Sequence, residues 1–300
     1  MSLQQFRNYM ALEKKYSAHT VEAYLRDLEQ FRVFCAGEHG EEPLEEMPYS
    51  VVRSWIIAQI EGGCTNRSVN RKVASLKAYY KYLVRMGRIP TSPLASHRPL
   101  KSEKKVEIPF SVGEMRELLT QWPEEPGYES LRDRLLVDLL YTTGIRRAEL
   151  IGIRLADLDL DAGTLRVLGK RNKERVLPLL TGLTPLFQSY LKVREAEFPQ
   201  ADTPYLFLSA SGNKMYEALV YRIINKYLSK VSQKAKRSPH VLRHTFATHL
   251  LNQGADMNSV KELLGHASLA STQVYTHNSI AELKRIHLES HPRNKKRDTI

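Results

Sequence analysis

Apolar residues recur along the first part of the chain at three- and four-residue steps. Val21, Tyr24, Leu25, Leu28, Phe31 and Phe34 share one face of a helix over 20–34, which Ser17 or Thr20 can cap. AGEHGEEP breaks the pattern, and helical spacing resumes over 51–60 and again through Val69, Val73, Leu76, Tyr80 and Leu83. RIPTSPLASHRPLKSEKKVEIP, with four prolines, has no periodicity and reads as a linker or a partly extended strap. A boundary is therefore placed at 96–108, between a helical unit over 1–95 and a second unit over 109–300. The second unit is helical in pattern with one exception. TLRVLG (164–169) and ERVLPL (174–179) alternate as strands do, and KRNK joins them as a tight turn.

Composition adds a partner class. Three hundred residues suit two domains, and 42% apolar residues suffice for two cores. Lys and Arg number 45 against 33 acids, a net charge of +12 that draws the chain toward polyanions. No apolar run approaches a membrane span, and MSLQQFRNYMALEKK is too polar for a secretory signal. Cys35 and Cys64 lack metal-type spacing, so a reducing cytosol is the simplest setting, with no membrane partner.

The excess charge is concentrated. Gly62 to Ser102 holds no Asp or Glu, yet contains Arg67, Arg71, Lys72, Lys77, Lys81 and further cations. Ala218 to Ala255 is again free of acids, and Arg222, Lys226, Lys230 and Lys234 repeat every fourth residue among Ile223, Ile224, Tyr227, Leu228 and Val231. Like charges at that spacing repel by a few tenths of a kcal/mol per pair, so the stripe points to an anionic partner rather than to solvent. Two such blocks fit a protein that grips double-stranded DNA from opposite sides through its phosphates.

Four segments carry the candidate chemistry. TGIRRAEL (143–150) breaks a helix at Gly144 and starts another at Arg146; GKRNKER (169–175) is the hairpin tip. HVLRHTFATHLL (240–251) sets His240 and Arg243 on one helical face, and LLGHASLASTQVYTH (263–277) supplies His266 and, nine residues on, Tyr275. In order and spacing these boxes resemble the tyrosine recombinase (phage integrase) family, most closely the bacterial Xer recombinases of the XerC/XerD type. The resemblance spans essentially the whole chain, including TVEAYLRDLEQF, SVNRKVASLKAYYKYL and the closing KRIHLESHPR. It implies a mainly α fold. A four- or five-helix SAM-like core-binding domain comes first, then a mostly helical catalytic domain with a small antiparallel β-sheet, the two closing around DNA as a C-shaped clamp. It implies Arg146, Lys170, His240, Arg243 and His266 as the activating set and Tyr275 as nucleophile. Ile145 and Ala148 stand where relatives often carry Leu and Ser. Arg171 takes a position where Gly is frequent, so either cation of the Lys170–Arg171 pair can be the one that reaches the substrate.

The residue types suit that chemistry. No carboxylate cluster has metal-type spacing, so no metal and no cofactor is expected, and two arginines can hold the phosphate instead. A guanidinium offers phosphate two parallel donors and stays charged at any working pH. Arg146 and Arg243 are the expected clamp, worth several kcal/mol to such a transition state. Tyr275 would attack phosphorus to give a 3′-phosphotyrosyl link and a free 5′-hydroxyl. A phenol titrates near 10 when unperturbed, so it needs a base or a strongly activated phosphate. His240 can serve as base or phosphate donor, Lys170 as the acid for the departing 5′-oxygen, and His266 as a donor to a non-bridging oxygen. Glu149 lies one turn from Arg146 and can orient Arg146 or His240. His244 and His249 are read as structural. The covalent link conserves bond energy, so strands can be exchanged without ATP.

The expected function is site-specific recombination, by resemblance the resolution of chromosome dimers at a paired dif-like site during chromosome segregation. The resemblance also implies a tetramer of one recombinase or of two related ones, exchange of the C-terminal segment KRIHLESHPR between protomers, and activation by a septal DNA translocase. Arg67, Arg71, Lys72, Lys77, Lys81, Arg171, Arg222 and Lys226 are the expected DNA contacts. The nearest rival is a phage or mobile-element integrase, whose extra arm-binding domain would need room ahead of residue 1. A type IB topoisomerase shares the chemistry but works as a monomer, and a non-catalytic architectural DNA-binding protein would not need all six reactive side chains. The target sequence, the order of strand exchange and the choice between the two Xer roles are not readable here.

Overall fold

A computed structural model describes residues 3–40, 42–103, 107–122, 127–169, 174–199, 203–234, 236–265 and 277–294, apart from the side chains of residues 39 and 277–282. The chain divides into two compact units, Met1–Lys105 and Val106–Ile300, the division falling inside the stretch 96–108 read as a linker. The architecture is mainly helical with one small antiparallel sheet. Among the described residues no helix is long and apolar enough to cross a membrane.

The first unit contains α1 (Leu3–Asn8), α2 (Ala18–His39), α3 (Tyr49–Glu61) and α4 (Asn66–Arg85). Of the two candidate caps for α2, Ser17 is the one used, accepting from the Thr20 N–H. The helix runs on through Ala36 to His39, so the break expected at AGEHGEEP comes later, at Gly40. A single π turn, Tyr9–Glu13, extends α1, and its ring of Tyr9 with Phe6 packs on Tyr79 and Tyr82 of α4. That polar opening stretch thus contributes Phe6 and Met10 to the core. Val69, Val73, Leu76, Tyr80 and Leu83 of α4 are all buried, each such side chain contributing roughly 2 kcal/mol by leaving water.

The proline-rich segment is a strap rather than a free linker over its first part. Asn70 holds the Leu100 N–H and carbonyl, Asn66 donates to the Lys101 carbonyl, and Lys77 donates to the His97 carbonyl. Several cations of the first basic block are likewise engaged with the protein. Arg71 forks onto the buried Asp27 carboxylate at 2.8 and 3.0 Å, and Lys72 donates to Gln30 and Gln59. Arg67 and Lys81 are exposed on α4.

The second unit contains α5 (Val112–Thr120), α6 (Tyr128–Thr143), α7 (Arg147–Gly152), β1 (Leu158–Asp159), β2 (Thr164–Leu168), β3 (Glu174–Pro178), α8 (Thr184–Glu197), α9 (Glu217–Val231), α10 (Pro239–Asn252), α11 (Met257–Leu264) and α12 (His277–Ser290). The expected hairpin is β2–β3, with Leu165 opposite Leu177 and Val167 opposite Arg175; the two-residue β1 adds a third strand. On α9, Ile223, Ile224, Tyr227 and Leu228 are buried while Arg222, Lys226 and Lys230 face outward. The fourth member of that series departs from the stripe: Lys234 lies past the helix end and pairs with Glu114.

α12 packs on its own domain. Leu283 joins Phe246, Leu250, Val260, Leu263 and Leu264 in one cluster. His287 and His291 are buried beneath it and meet the Thr142 and Tyr141 carbonyls, while Arg293 pairs with buried Asp138 at 3.1 Å. Burial pushes the His287 ring down to about 4, so it is neutral at physiological pH.

Candidate active site

The site is built on two glycine breaks. Gly144 ends α6 in the left-handed region at φ 61°, and Gly265 ends α11 there at φ 63°. A Cβ on Gly144 would collide with the Phe246 ring and lie 2.9 Å from Leu264 Cδ2, so only glycine lets α6, α10 and α11 meet. Gly144→Ala is expected to cost about 3 kcal/mol or more from left-handed strain plus overpacking. Urea unfolding of the full chain checks this, followed through Trp122 in a Trp55→Phe background; a loss under about 1 kcal/mol would show that the three helices can part.

Two residues after Gly144, Arg146 caps α7. Its backbone N–H donates to Glu149 Oε2 at 2.9 Å and its Nη1 donates to Oε1 at 2.7 Å. Arg243, on the buried face of α10, donates through Nη1 to the Gly144 carbonyl and through Nη2 to the Leu264 carbonyl, each at 2.6 Å. Arg146 Nη2 donates to the Gly265 carbonyl at 3.0 Å. The carbonyls at the end of α11 have no partners within their helix, and that end carries partial negative charge. Here they gather the two guanidiniums beside the residue that precedes His266.

The electrostatics follow from this crowding. Burial, then the charges of Arg146 and Arg175, push the Arg243 guanidinium down to about 10, still charged at neutral pH. Burial alone would raise the Glu149 carboxyl, but hydrogen bonds and charge from Arg175, and then Arg146, hold it at about 2. Of the two residues the sequence offered Glu149, its hydrogen bonds go to Arg146.

His240 stands one turn before Arg243 and is exposed, its Nε2 3.6 Å from Glu107 Oε2. Glu107 also pairs with Lys236, whose hydrogen bond is the main cause holding that carboxyl below the usual carboxylate range. His249 is buried between the Phe110 carbonyl and the Tyr141 hydroxyl, as read from the sequence, whereas His244 is exposed and not a core residue. Among the described residues no three His, Cys, Asp or Glu side chains group as metal ligands do. Lys170, Arg171, His266 and Tyr275 lie outside the described residues. Arg175 was passed over in the sequence as part of the hairpin tip, yet it is buried against Glu149. The alternation of β3 carries the signal, since it sets Arg175 on the same inward face as Leu177.

Comparison with known proteins decides the family. Residues 112–282 match the phage integrase family, and residues 3–87 match the phage integrase N-terminal SAM-like domain. The chain belongs to the phage integrase family. It is a tyrosine recombinase of the XerC type, an enzyme that cleaves and rejoins DNA at specific sites. It is 36% identical to a tyrosine recombinase XerC of Pelobacter propionicus, over 97% of this chain and 95% of that one. With the corresponding protein of Anoxybacillus flavithermus the identity is 37%, over 97% and 98%. The fold is shared with XerH recombinase bound to palindromic difH in a post-cleavage complex, at TM-score 0.68, 20% identity and coverage of 95% and 83%. It is shared equally with the Tn1549 transposon integrase in complex with transposon right-end DNA, at TM-score 0.67, 22% identity and coverage of 95% and 99%.

Proposed function

We propose that this recombinase resolves chromosome dimers at a dif-like DNA site, in the cytoplasm, through a phosphotyrosine made on Tyr275. The observation that carries the reading is the pairing of Arg146 and Arg243 at the α11 terminus, Leu264–Gly265, just ahead of His266 in the chain. Both cations are fixed before substrate arrives, so little reorganisation remains when charge develops on the phosphate.

In the proposed step the Tyr275 oxygen attacks phosphorus and the bond from phosphorus to the 5′-oxygen breaks. His240 takes the phenolic proton; its Nε2 lies 3.6 Å from Glu107 Oε2. Lys170 gives a proton to the departing 5′-oxygen, and His266 donates to a non-bridging oxygen. Rejoining reverses these transfers with a 5′-hydroxyl from another strand. Exposed Arg67, Lys81, Arg222 and Lys226 suit phosphate contacts; Arg71, Lys72 and Lys77 would have to share existing partners, and Arg171 completes the proposed set.

A suicide duplex nicked next to the cleavage point tests the reading. Wild type should be trapped as a denaturant-resistant adduct whose DNA-linked peptide contains Tyr275. Failure to form an adduct on any duplex carrying a dif-like site would favour an architectural role.

Assembly is proposed as a tetramer on two sites, of one recombinase or two, with a septal DNA translocase as activator. Exchange of the KRIHLESHPR segment would transfer α12 from its own Phe246–Leu264 cluster to the same cluster of a neighbour, a swap that exchanges like contacts for like. Truncation after Ile280 should then weaken cooperative synapsis more than single-protomer binding in mobility shifts. Equal losses in both would leave α12 a purely internal element.

A further inference from the structure

We propose that Arg175 is a positioning residue of this active site: its guanidinium offsets the Glu149 carboxylate, so that Arg146 keeps an uncancelled positive charge for the scissile phosphate. The proposal rests on the reading of Arg146 as a phosphate clamp.

An arginine in the middle of a strand facing the core is uncommon, and Arg175 is only 5% exposed. It forks onto Glu149, Nη1 to Oε1 at 2.9 Å and Nη2 to Oε2 at 2.8 Å, while Nε donates to the Leu263 carbonyl at 3.2 Å. The same carboxylate accepts Arg146 Nη1 and the Arg146 N–H. One carboxylate thus serves two guanidiniums, and the trio retains a surplus positive charge. Without Arg175, Glu149 and Arg146 would form a one-to-one pair whose attraction for a phosphate is largely cancelled. The carboxylate itself is needed, because it holds Arg146 by backbone and side chain together.

Stability alone gives a poor reason for this arrangement. A buried ion pair can often be replaced by apolar groups at no cost, so a pair kept on a core strand invites a role in function. Arg175 also connects the other parts of the site. It lies five residues after Lys170 in the chain, and its side chain forms the wall under Gly265, where a Cβ would come within 3.1 Å of its Cδ and Nη1. With Arg146 on Gly265 and Arg243 on Leu264, Arg175 on Leu263 completes a series of three arginines on three successive carbonyls. Too buried to reach DNA, it acts through its neighbours.

The test is single-turnover cleavage of the nicked duplex by full-length variants, with site binding measured alongside. Arg175→Met should bind the site like wild type but cleave about a hundred-fold more slowly, and adding Glu149→Gln should recover about tenfold, because a neutral amide no longer cancels Arg146. A merely structural arginine predicts no recovery in the double variant, and that result overturns the proposal. Arg175→Lys provides the second reading should Arg175→Met not fold. It keeps the charge, so cleavage within about tenfold of wild type supports the proposal, and a loss beyond about a hundred-fold refutes it. Arg146→Ala runs in parallel. If it cleaves normally, the clamp reading itself has failed; if it is inactive while Arg175→Met cleaves at the wild-type rate, only the role of Arg175 has failed.

Discussion

Tyr275→Phe should retain binding to the recombination site and lose covalent capture of the nicked duplex entirely, a fall of about ten-thousand-fold or more in strand cleavage. The change removes one oxygen and nothing else of comparable size. The proposed phosphate contacts are cations spread over the molecule, so binding should shift by less than about threefold. Chemistry, by contrast, has no substitute for the phenol. A serine or threonine hydroxyl elsewhere in the chain would need both a lower pKa and a place in line with the leaving 5′-oxygen. A gel that resolves free duplex, non-covalent complex and adduct gives all three quantities together. Adduct formation by the phenylalanine variant would place the nucleophile at another residue.

Arg243→Ala should be nearly as severe for cleavage, about a thousand-fold, with site binding within about fivefold of wild type. Two effects combine. On the proposed reading the phosphate loses one of its two guanidinium donors, and the Gly144 and Leu264 carbonyls lose the donor that ties α6 to α11. The second effect predicts a lower unfolding midpoint, since each buried carbonyl left without a partner costs about 1–3 kcal/mol unless water replaces the guanidinium. Arg243→Lys separates the two. An ammonium keeps the charge but cannot reach two carbonyls and a phosphate in the plane that a guanidinium spans, so most of the activity should still be missing. Strong cleavage by the lysine variant, or a binding loss as large as the cleavage loss, would reduce Arg243 to a DNA anchor.

Much of the architecture was present in one-dimensional patterns. Helical spacing placed α2, α3 and α4 within a few residues, and the two-residue alternation of TLRVLG and ERVLPL placed the hairpin. These readings succeed because amphipathic periodicity is imposed locally by the geometry of each element. The same holds for the placement, though not the role, of Arg146 just past a glycine break and of Arg243 on a helix. Cores built from such faces are also why the second basic block emerged as an outward stripe on α9 while its last member did not, a helix end being the least marked feature of a sequence.

What only the folded chain decided was the partnership of charges separated by long stretches of sequence. Arg71, an expected DNA contact, already pairs with Asp27, 44 residues away, which no local pattern announces. Glu149 was credited with two possible tasks, and Arg175 with none. Their bidentate pairing joins α7 to β3 across 26 residues, and Leu263 adds a further link across 88. Within KRIHLESHPR, His287 and His291 meet the Thr142 and Tyr141 carbonyls in the chain's own core, contacts no local pattern announces. The physical reason is common to all of these. Side-chain periodicity encodes which face is apolar, whereas an ion pair depends on which faces meet, and that is fixed only when α6, α10 and α11 close around Gly144 and Gly265.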